Sequence, residues 1–232
     1  MPSIYNPPYD SPLEDDFAYN IVKYFDKSVE IIPQFEVKTI CGTFRIDFVA
    51  RTGSSLIGFE CDGKDFHDQS RDEWRDAMIM GTKTITSIYR LRGADIYYRI
   101  EDILYIVSLW NPELFDSRSI INLETLASDE AKNLKVEIPK SIVLINYKEE
   151  EQDSYYSSRP PQYLCMERRH IQSPTNRRQF WEAAYAFALE IGGGKLDEVI
   201  NLYRTKNKVE IPAWSFGAYE NALYFEALGK EL

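Results

Sequence analysis

The stretch that decides the fold runs from residue 43 to residue 62 and reads TFRIDFVARTGSSLIGFECD. It holds two runs rich in β-branched and aromatic residues, 43–51 and 56–62, separated by a short break around Gly53. This pattern predicts two antiparallel strands joined by a tight turn. A register centred on that turn places Asp47 opposite Glu60. We therefore expect both carboxylates on one face of the sheet, within reach of a single cation.

A carboxylate pair of this kind suits a hard divalent cation. Mg²⁺ binds through one or two carboxylates and keeps several waters, and it can polarise a phosphodiester and activate an attacking water. The simpler alternative is that Asp47 and Glu60 face solvent on the open side of a sheet. The strand pattern and the spacing, taken alone, favour that alternative.

The flanking sequence predicts the elements around this pair. Ser11 is expected to cap a helix, with Pro12 in its first turn and Glu14 closing a capping box. A strand at 30–38 completes a three-stranded meander. A helix at 68–80, a strand at 84–91 and a helix at 95–110 follow from their hydrophobic periodicity. The order αβββαβα predicts an α+β domain over residues 1–115, a mixed β-sheet flanked by helices.

Residues 116–232 are expected to form a mainly α-helical region with one strand, which contributes substrate or partner binding. The strand is expected at 141–147, after a connector at 116–133 that contains a short helix. An exposed loop is expected at 148–161, because that segment is acidic and then rich in Ser, Tyr and Pro. Helices are expected at 173–191, 196–204 and 214–228.

Composition excludes several classes of protein. The chain of 232 residues is 44% hydrophobic, so general disorder is excluded, and no apolar run approaches the length of a membrane span. The start of the chain lacks the pattern of a secretory signal. Three cysteines at wide spacing fit neither a disulfide framework nor a zinc site, so we expect a cytoplasmic protein. The net charge of −10 argues against bulk electrostatic coating of nucleic acid.

Five short motifs recur here in the order and spacing of one known group. They are Gln34-x-Glu36-Val37, Arg45-Ile46-Asp47-Phe48, Glu60-Cys61-Asp62-Gly63 with His67, Asp72-x-x-Arg75-Asp76, and Tyr89-Arg90. Over about residues 11–93 the chain resembles the PD-(D/E)XK, or restriction-endonuclease-like, superfamily. The likeness is to the branch that is similar to very-short-patch-repair endonucleases. The resemblance implies a restriction-endonuclease-like core that hydrolyses DNA phosphodiester bonds with Mg²⁺, for which Mn²⁺ may substitute.

Two departures from the family pattern matter. The superfamily usually has a Lys two residues after the Glu, where this chain has Asp62; Lys64 and Lys83 do not match the motif. The very-short-patch-like branch also lacks that Lys and depends on a His. The zinc-binding cysteines and histidines of the repair enzymes are missing, so the resemblance is to the wider branch.

The resemblance assigns metal binding to Asp47 and Glu60, with Asp62, His67 and Glu14 as further catalytic residues. Asp62 is alternatively the turn residue before Gly63. His67 suits proton transfer near neutral pH, but a lone His at a strand-to-helix junction is as often a cap or a surface residue. The capping-box position of Glu14 explains it without catalysis.

Gln34, Asp72 and Arg75 are expected to support the site without touching the metal. Asp72 and Arg75 lie three residues apart on one helix face, where an ion pair with each other is the simple explanation. Contacts to a nucleic-acid backbone are expected from a set of arginines, against the alternative of ordinary surface residues. They are Arg90, Arg92, Arg168, Arg169, Arg177 and Arg178.

The sequence thus favours a cytoplasmic, Mg²⁺-dependent DNA endonuclease, a metal-binding hydrolase that acts without a membrane. A homodimer is one way to cut both strands, and a protein partner is another open possibility. The first alternative is a catalytically inactive nuclease-fold module that binds nucleic acid. The second is an assembly protein that works through its aromatic-rich C-terminal helices.

Overall fold

The computed structural model describes residues 5–53, 55–63, 69–134, 142–147, 162–171, 173 and 175–207. Its helices in that part of the chain are α1 (Pro12–Tyr24), α2 (Gln69–Gly81), α3 (Gly93–Trp110), α4 (Ser117–Leu126), α5 (Asp129–Lys132), α6 (Thr175–Glu190) and α7 (Leu196–Asn207). Its strands are β1 (Glu30–Thr39), β2 (Gly42–Thr52), β3 (Ser55–Asp62), β4 (Ser87–Arg92), β5 (Ile142–Asn146) and β6 (Tyr163–His170).

The first 110 residues form a helix, three strands, a helix, a strand and a helix, which confirms the predicted order. The predicted meander is also confirmed, because β1 pairs with β2 and β2 with β3, both antiparallel. Gly53 in the β2–β3 turn has φ of +54°, a left-handed conformation that favours glycine. The predicted exposed loop and the last predicted helix, at 214–228, lie outside the described residues.

All six described strands belong to one mixed sheet in the order β1-β2-β3-β4-β6-β5. β3 and β4 are parallel and are connected through α2, whereas β4–β6 and β6–β5 are antiparallel. The sheet therefore includes strands from both sides of the boundary expected at residue 116. β5 was predicted, but β6 was not, because Arg168 and Arg169 interrupt its apolar pattern and made the segment look like an exposed basic patch.

Helices cover both faces of this sheet. One core, here called the α3 core, lies between the sheet and α1, α3, α4 and α5, and includes Phe17, Phe59 and Leu91. The other, here called the α2 core, lies between the opposite face and α2, α6 and α7, and includes Trp74 and Ile88. This architecture confirms the predicted fold class of a mixed sheet flanked by helices. No helix in the described ranges combines the length and apolar character required to cross a membrane.

Candidate functional site

The meander brings Asp47 and Glu60 to neighbouring positions. β2 and β3 pair in the predicted register, with Phe48 opposite Phe59, and the next residues outward along this register are Asp47 and Glu60. The backbone N–H of Cys61 donates to Asp47 Oδ2 at 2.8 Å, so the two strands remain joined at this point by a side chain. The Glu60 side chain is buried, while that of Asp47 is partly buried. The site is therefore an enclosed carboxylate pair rather than a solvated face.

The strands are irregular at this pair. Ile46 and Val49 pack into the α2 core whereas Phe48 packs into the α3 core, so the alternation of side chains changes phase at Asp47. On β1, Gln34 lies between the residues that pair with Ile46 and Phe48 and has φ of 49°. A non-glycine residue rarely adopts this left-handed conformation, and such irregularities often re-aim a side chain beside a functional site. Here they accompany the placement of Asp47 and Gln34.

Glu14 joins the site from the start of α1. The predicted helix start is confirmed, because Ser11 Oγ accepts from the Glu14 N–H at 3.2 Å and donates to Glu14 Oε1 at 3.0 Å. The amide Nε2 of Gln34 donates to Glu14 Oε2 at 2.8 Å. The Glu14 side chain is thus buried and fixed at both oxygens. Its negative charge acts on Asp47, whose pKa it helps to raise.

Arg75 on α2 contacts Glu60. Its Nη2 lies 2.5 Å from Glu60 Oε1 and also donates to the backbone carbonyl of Arg45. Its Nη1 lies 3.3 Å from Asp76 Oδ1. The structure therefore places Arg75 against a predicted metal ligand. The ion pair expected between Asp72 and Arg75 does not account for Asp72, which pairs instead with Arg90 on the neighbouring strand β4.

Asp62, at the end of β3, is held by Arg90 of the neighbouring strand. Arg90 Nε donates to Asp62 Oδ2 at 3.0 Å, and its Nη2 donates to Asp62 Oδ1 at 2.9 Å, a two-pronged pairing that fixes the plane of the carboxylate. The same guanidinium reaches Asp72 Oδ2 at 3.2 Å and Asp76 Oδ2 at 3.0 Å. Arg90 is buried by these contacts, so it lies inside the protein rather than at a surface that DNA can approach.

Asp76 connects this cluster to the C-terminal half of the chain. It is fully buried, and its two oxygens meet the guanidinium groups of Arg75, Arg90 and Arg169. Arg169 on β6 also pairs with Glu73 at 2.9 Å and with Glu167 at 3.2 Å. The indole N–H of Trp181 on α6 donates to Glu73 Oε1 at 2.6 Å. We call this cluster the Asp76 network. Its members are Asp62, Asp72, Glu73, Arg75, Asp76, Arg90, Glu167, Arg169 and Trp181.

Sequence reasoning missed the Asp76 network although its residues were in view. Asp72 and Asp76 lie four residues apart on α2 and therefore on one helix face. Trp74, Ala77 and Met78, which are buried in the α2 core, lie on a different side of this helix. Helical periodicity therefore predicts that the two acids face solvent, and it gives no sign that they meet Arg90 and Arg169.

The electrostatics of the carboxylate pair follow from burial and crowding. Burial raises the pKa of Asp47 to about 6, with Glu14 and Asp62 raising it further while the Cys61 N–H and Arg75 oppose the change. Burial raises the pKa of Glu60 to about 8, although the cations of Arg75 and Arg90 act in the opposite direction. Two neighbouring acids with raised pKa values form a site that an added cation would stabilise.

The remaining predicted arginines lie apart from the carboxylate pair. Arg92 pairs with Asp95 through two contacts of 2.7 Å and lies over the Tyr163 ring at 4.5 Å. Arg168 is buried with its guanidinium carbon 5.1 Å from the Trp110 ring centre, and its Nε and Nη1 find no hydrogen-bond partner among the described residues. Burial of Arg168 and Arg169 speaks against their predicted contact with a nucleic-acid backbone.

Arg178, Arg177 and His67 complete the set of predicted positions. Arg178 is half-buried at the start of α6. The side chain of Arg177 and the whole of His67 lie outside the described residues, as does Lys64. Within the described ranges, no three His, Cys, Asp or Glu side chains form a ready ligand set. The carboxylates of Asp47 and Glu60 remain the two adjoining candidate ligands.

Comparison of the chain with protein-family models, with curated proteins and with solved structures gives no match. The functional argument therefore depends on the geometry of the carboxylate pair and on the motifs of the sequence.

Proposed function

We propose that this protein is a Mg²⁺-dependent endonuclease that hydrolyses DNA phosphodiester bonds. The observation that carries the proposal is the enclosed pair of Asp47 and Glu60, neighbours in the β2–β3 register and both with raised pKa values. Buried acids that repel one another are retained where a cation or a proton transfer uses them. The family resemblance names the same two residues as metal ligands, and the pairing was expected from the sequence.

The donor set fits a hard divalent cation. Asp47 has one oxygen engaged by the Cys61 N–H, which orients the carboxylate, and Glu60 has one oxygen engaged by Arg75. Among the contacts of the described residues, Asp47 therefore keeps an oxygen for a ligand bond, whereas Glu60 offers its whole carboxylate only when Arg75 moves away. Two protein carboxylates completed by waters are the usual protein environment of Mg²⁺. When bound, such a cation supplies Lewis-acid activation of water and stabilises charge on a phosphodiester.

The neighbouring side chains have separate tasks in this proposal. Cys61 orients Asp47 through its backbone N–H. Glu14, fixed by Ser11 and Gln34, adds negative charge beside the pair without being free to move. Asp62 is already paired with Arg90, so it shapes the edge of the site. Proton transfer is proposed for His67, which follows β3 in the sequence.

The alternative is an inactive nuclease-fold module that binds nucleic acid or assembles with a protein. Two observations favour it: Arg75 occupies an oxygen of Glu60, and Arg90 occupies both oxygens of Asp62. Two arginines thus neutralise acids that a nuclease would use. The net charge of −10 and the missing Lys of the family motif point in the same direction.

The deciding experiment is cleavage of supercoiled plasmid and of single-stranded DNA with Mg²⁺ and with Mn²⁺. Wild type is compared with Asp47→Asn and Glu60→Gln, which keep side-chain shape and remove the charge. Asp129→Asn is the matched control, because that acid is exposed on α5. Cleavage lost in both site variants and kept in the control supports the nuclease. Cleavage that survives either substitution contradicts the site. Retained DNA binding without any cleavage supports the alternative.

A further inference from the structure

Three arginines enter the acidic region around β3 and α2, and they are not held equally. Arg90 makes four contacts to three carboxylates, and Arg169 meets three carboxylates. Their side chains are 7% and 2% exposed. Arg75 has one short carboxylate contact, to Glu60, and a longer one of 3.3 Å to Asp76. Its side chain is 13% exposed, which is the largest fraction of the three.

The guanidinium of Arg75 sits where a cation bound to Glu60 would sit. Its Nη2 is 2.5 Å from Glu60 Oε1, a separation close to the 2.0–2.6 Å of oxygen ligands around Mg²⁺ and Ca²⁺. The same nitrogen donates to the carbonyl oxygen of Arg45, two residues before Asp47. A single nitrogen thus bridges a carboxylate and a carbonyl, the two kinds of oxygen that a hard cation selects. A divalent cation and this guanidinium cannot share that position, because both are positive.

We propose that Arg75 is a built-in competitor for divalent metal: its guanidinium occupies Glu60 in the metal-free protein and must leave before a cation binds the Asp47–Glu60 pair. The inference rests on the proposed function, since it concerns the regulation of the same site. It sets a threshold of metal concentration below which the guanidinium of Arg75 keeps Glu60 Oε1 occupied.

The first test is calorimetric titration of Mn²⁺ into wild type, Arg75→Gln and Arg75→Lys at one pH and ionic strength. Arg71→Gln is the matched control, because Arg71 lies one turn earlier on α2 and pairs with exposed Asp197. It removes the same charge from the same helix. If Arg75 competes with the metal, Arg75→Gln binds Mn²⁺ about tenfold more tightly than wild type does. Arg71→Gln then binds Mn²⁺ with the wild-type affinity. Arg75→Lys keeps the charge and is expected to lie between wild type and Arg75→Gln.

Each other result overturns a defined part of the argument. An unchanged or weaker affinity in Arg75→Gln, with Mn²⁺ still bound by wild type, overturns the competitor and leaves the metal site standing. Equal tightening in Arg71→Gln also overturns it, because the effect is then one of general charge. Mn²⁺ bound by none of the four proteins overturns both the competitor and the proposed function.

A second measurement uses wild type alone, so it does not depend on the folding of a variant. The NMR signal of the Arg75 Nε–Hε group is followed as Mg²⁺ is added, with the Arg90 and Arg169 groups as internal references. Movement of the Arg75 signal with the midpoint of metal binding, while the references move less, supports displacement. A stationary Arg75 signal during metal binding overturns it.

Discussion

The two faces of the sheet at β4 and β6 carry mainly opposite kinds of side chain, although Arg168 lies beside Trp110 on the apolar side and Ile88 lies on the charged side. Towards α3 the strands present Tyr89 and Leu91 from β4, with Leu164 and Met166 from β6, all buried in one apolar core. Towards α2 the same strands present Arg90, Glu167 and Arg169, which are equally buried. The hydrogen-bonded backbone is shared, so the comparison isolates what the side chains contribute.

The comparison teaches that the two faces have different tasks. Apolar burial stabilises by about 25 cal/mol per Å² and accepts many combinations of side chains. A buried ion pair gains little net stability, because desolvation offsets the Coulomb attraction, but removal of one partner is strongly destabilising. The α3 face therefore supplies stability, and the α2 face fixes the positions of Asp62 and Glu60 through Arg90 and Arg75.

The largest effect is expected from Asp76→Asn, which breaks the charged face at its centre. Three arginines converge on Asp76, so loss of its charge leaves buried cations without full compensation. We expect a loss of about 3–5 kcal/mol in the free energy of unfolding. Urea denaturation followed by circular dichroism measures this. Asp197→Asn is the control, because that acid forms an exposed pair with Arg71 and should change stability by less than about 1 kcal/mol.

A change of similar, small size in both variants would contradict the comparison. The charged face would then tolerate substitution as the apolar face does, and Asp76 would not be needed to hold the arginines in place.

The pH dependence of stability gives the next largest effect. The pKa of Glu60 is raised to about 8 in the folded protein, so between about pH 5 and pH 8 the folded state binds a proton that the unfolded state has released. The stability of the metal-free protein is therefore highest at the acidic end of that window and falls as pH rises. The slope is at most about 1.4 kcal/mol per pH unit for one proton. Denaturant melts at pH 5, 6, 7 and 8 measure it.

Glu60→Gln separates this residue from the other acids, because glutamine resembles the protonated side chain and does not titrate. Between pH 5 and pH 8, we expect the free energy of unfolding of the variant to fall by about 2–3 kcal/mol less than that of wild type. Parallel pH profiles of the two proteins would show that Glu60 is ionised throughout, and that Arg75 fully compensates its burial.

The apolar face was predictable from the sequence and the charged face was not. Hydrophobic periodicity and turn residues depend on local sequence, and they predicted the order of elements from α1 to α3 and the register that pairs Phe48 with Phe59. β6 was missed because Arg168-Arg169 reads as a surface pair. Arg169 can be buried only because two acids distant in sequence, Glu73 and Asp76, reach it from the helix α2 that covers this face of the sheet.

In the candidate site, the sequence predicted the neighbouring positions of Asp47 and Glu60 but not the contacts of the residues around them. Asp47 and Glu60 followed from a turn and a count of residues, which are local facts. The partners of Asp72 and Arg75 did not, because each had an adequate local partner in the other. Tertiary packing gave them Arg90 and Glu60 instead, since α2 lies across β3 and β4 and turns this side of the helix towards the sheet.

The smallest effect is expected from Gly81→Ala, which tests how the charged face is covered rather than how it is charged. A Cβ at Gly81 would lie 2.3 Å from the Tyr185 ring of α6, so the two helices must separate slightly. Alanine normally favours a helix over glycine by about 1 kcal/mol, and overpacking costs about 1–3 kcal/mol. We expect a net loss of about 1 kcal/mol in unfolding free energy, and we expect this loss to disappear when Gly81→Ala is made in a Tyr185→Ala background. Gly63→Ala is the control, because a Cβ at that position meets no atom of the described residues within 4 Å. A quenched or shifted Trp181 fluorescence in Gly81→Ala would show that the contact of Trp181 with Glu73 depends on this close approach. Unchanged stability and fluorescence would mean that the close approach at Gly81 does not position α6.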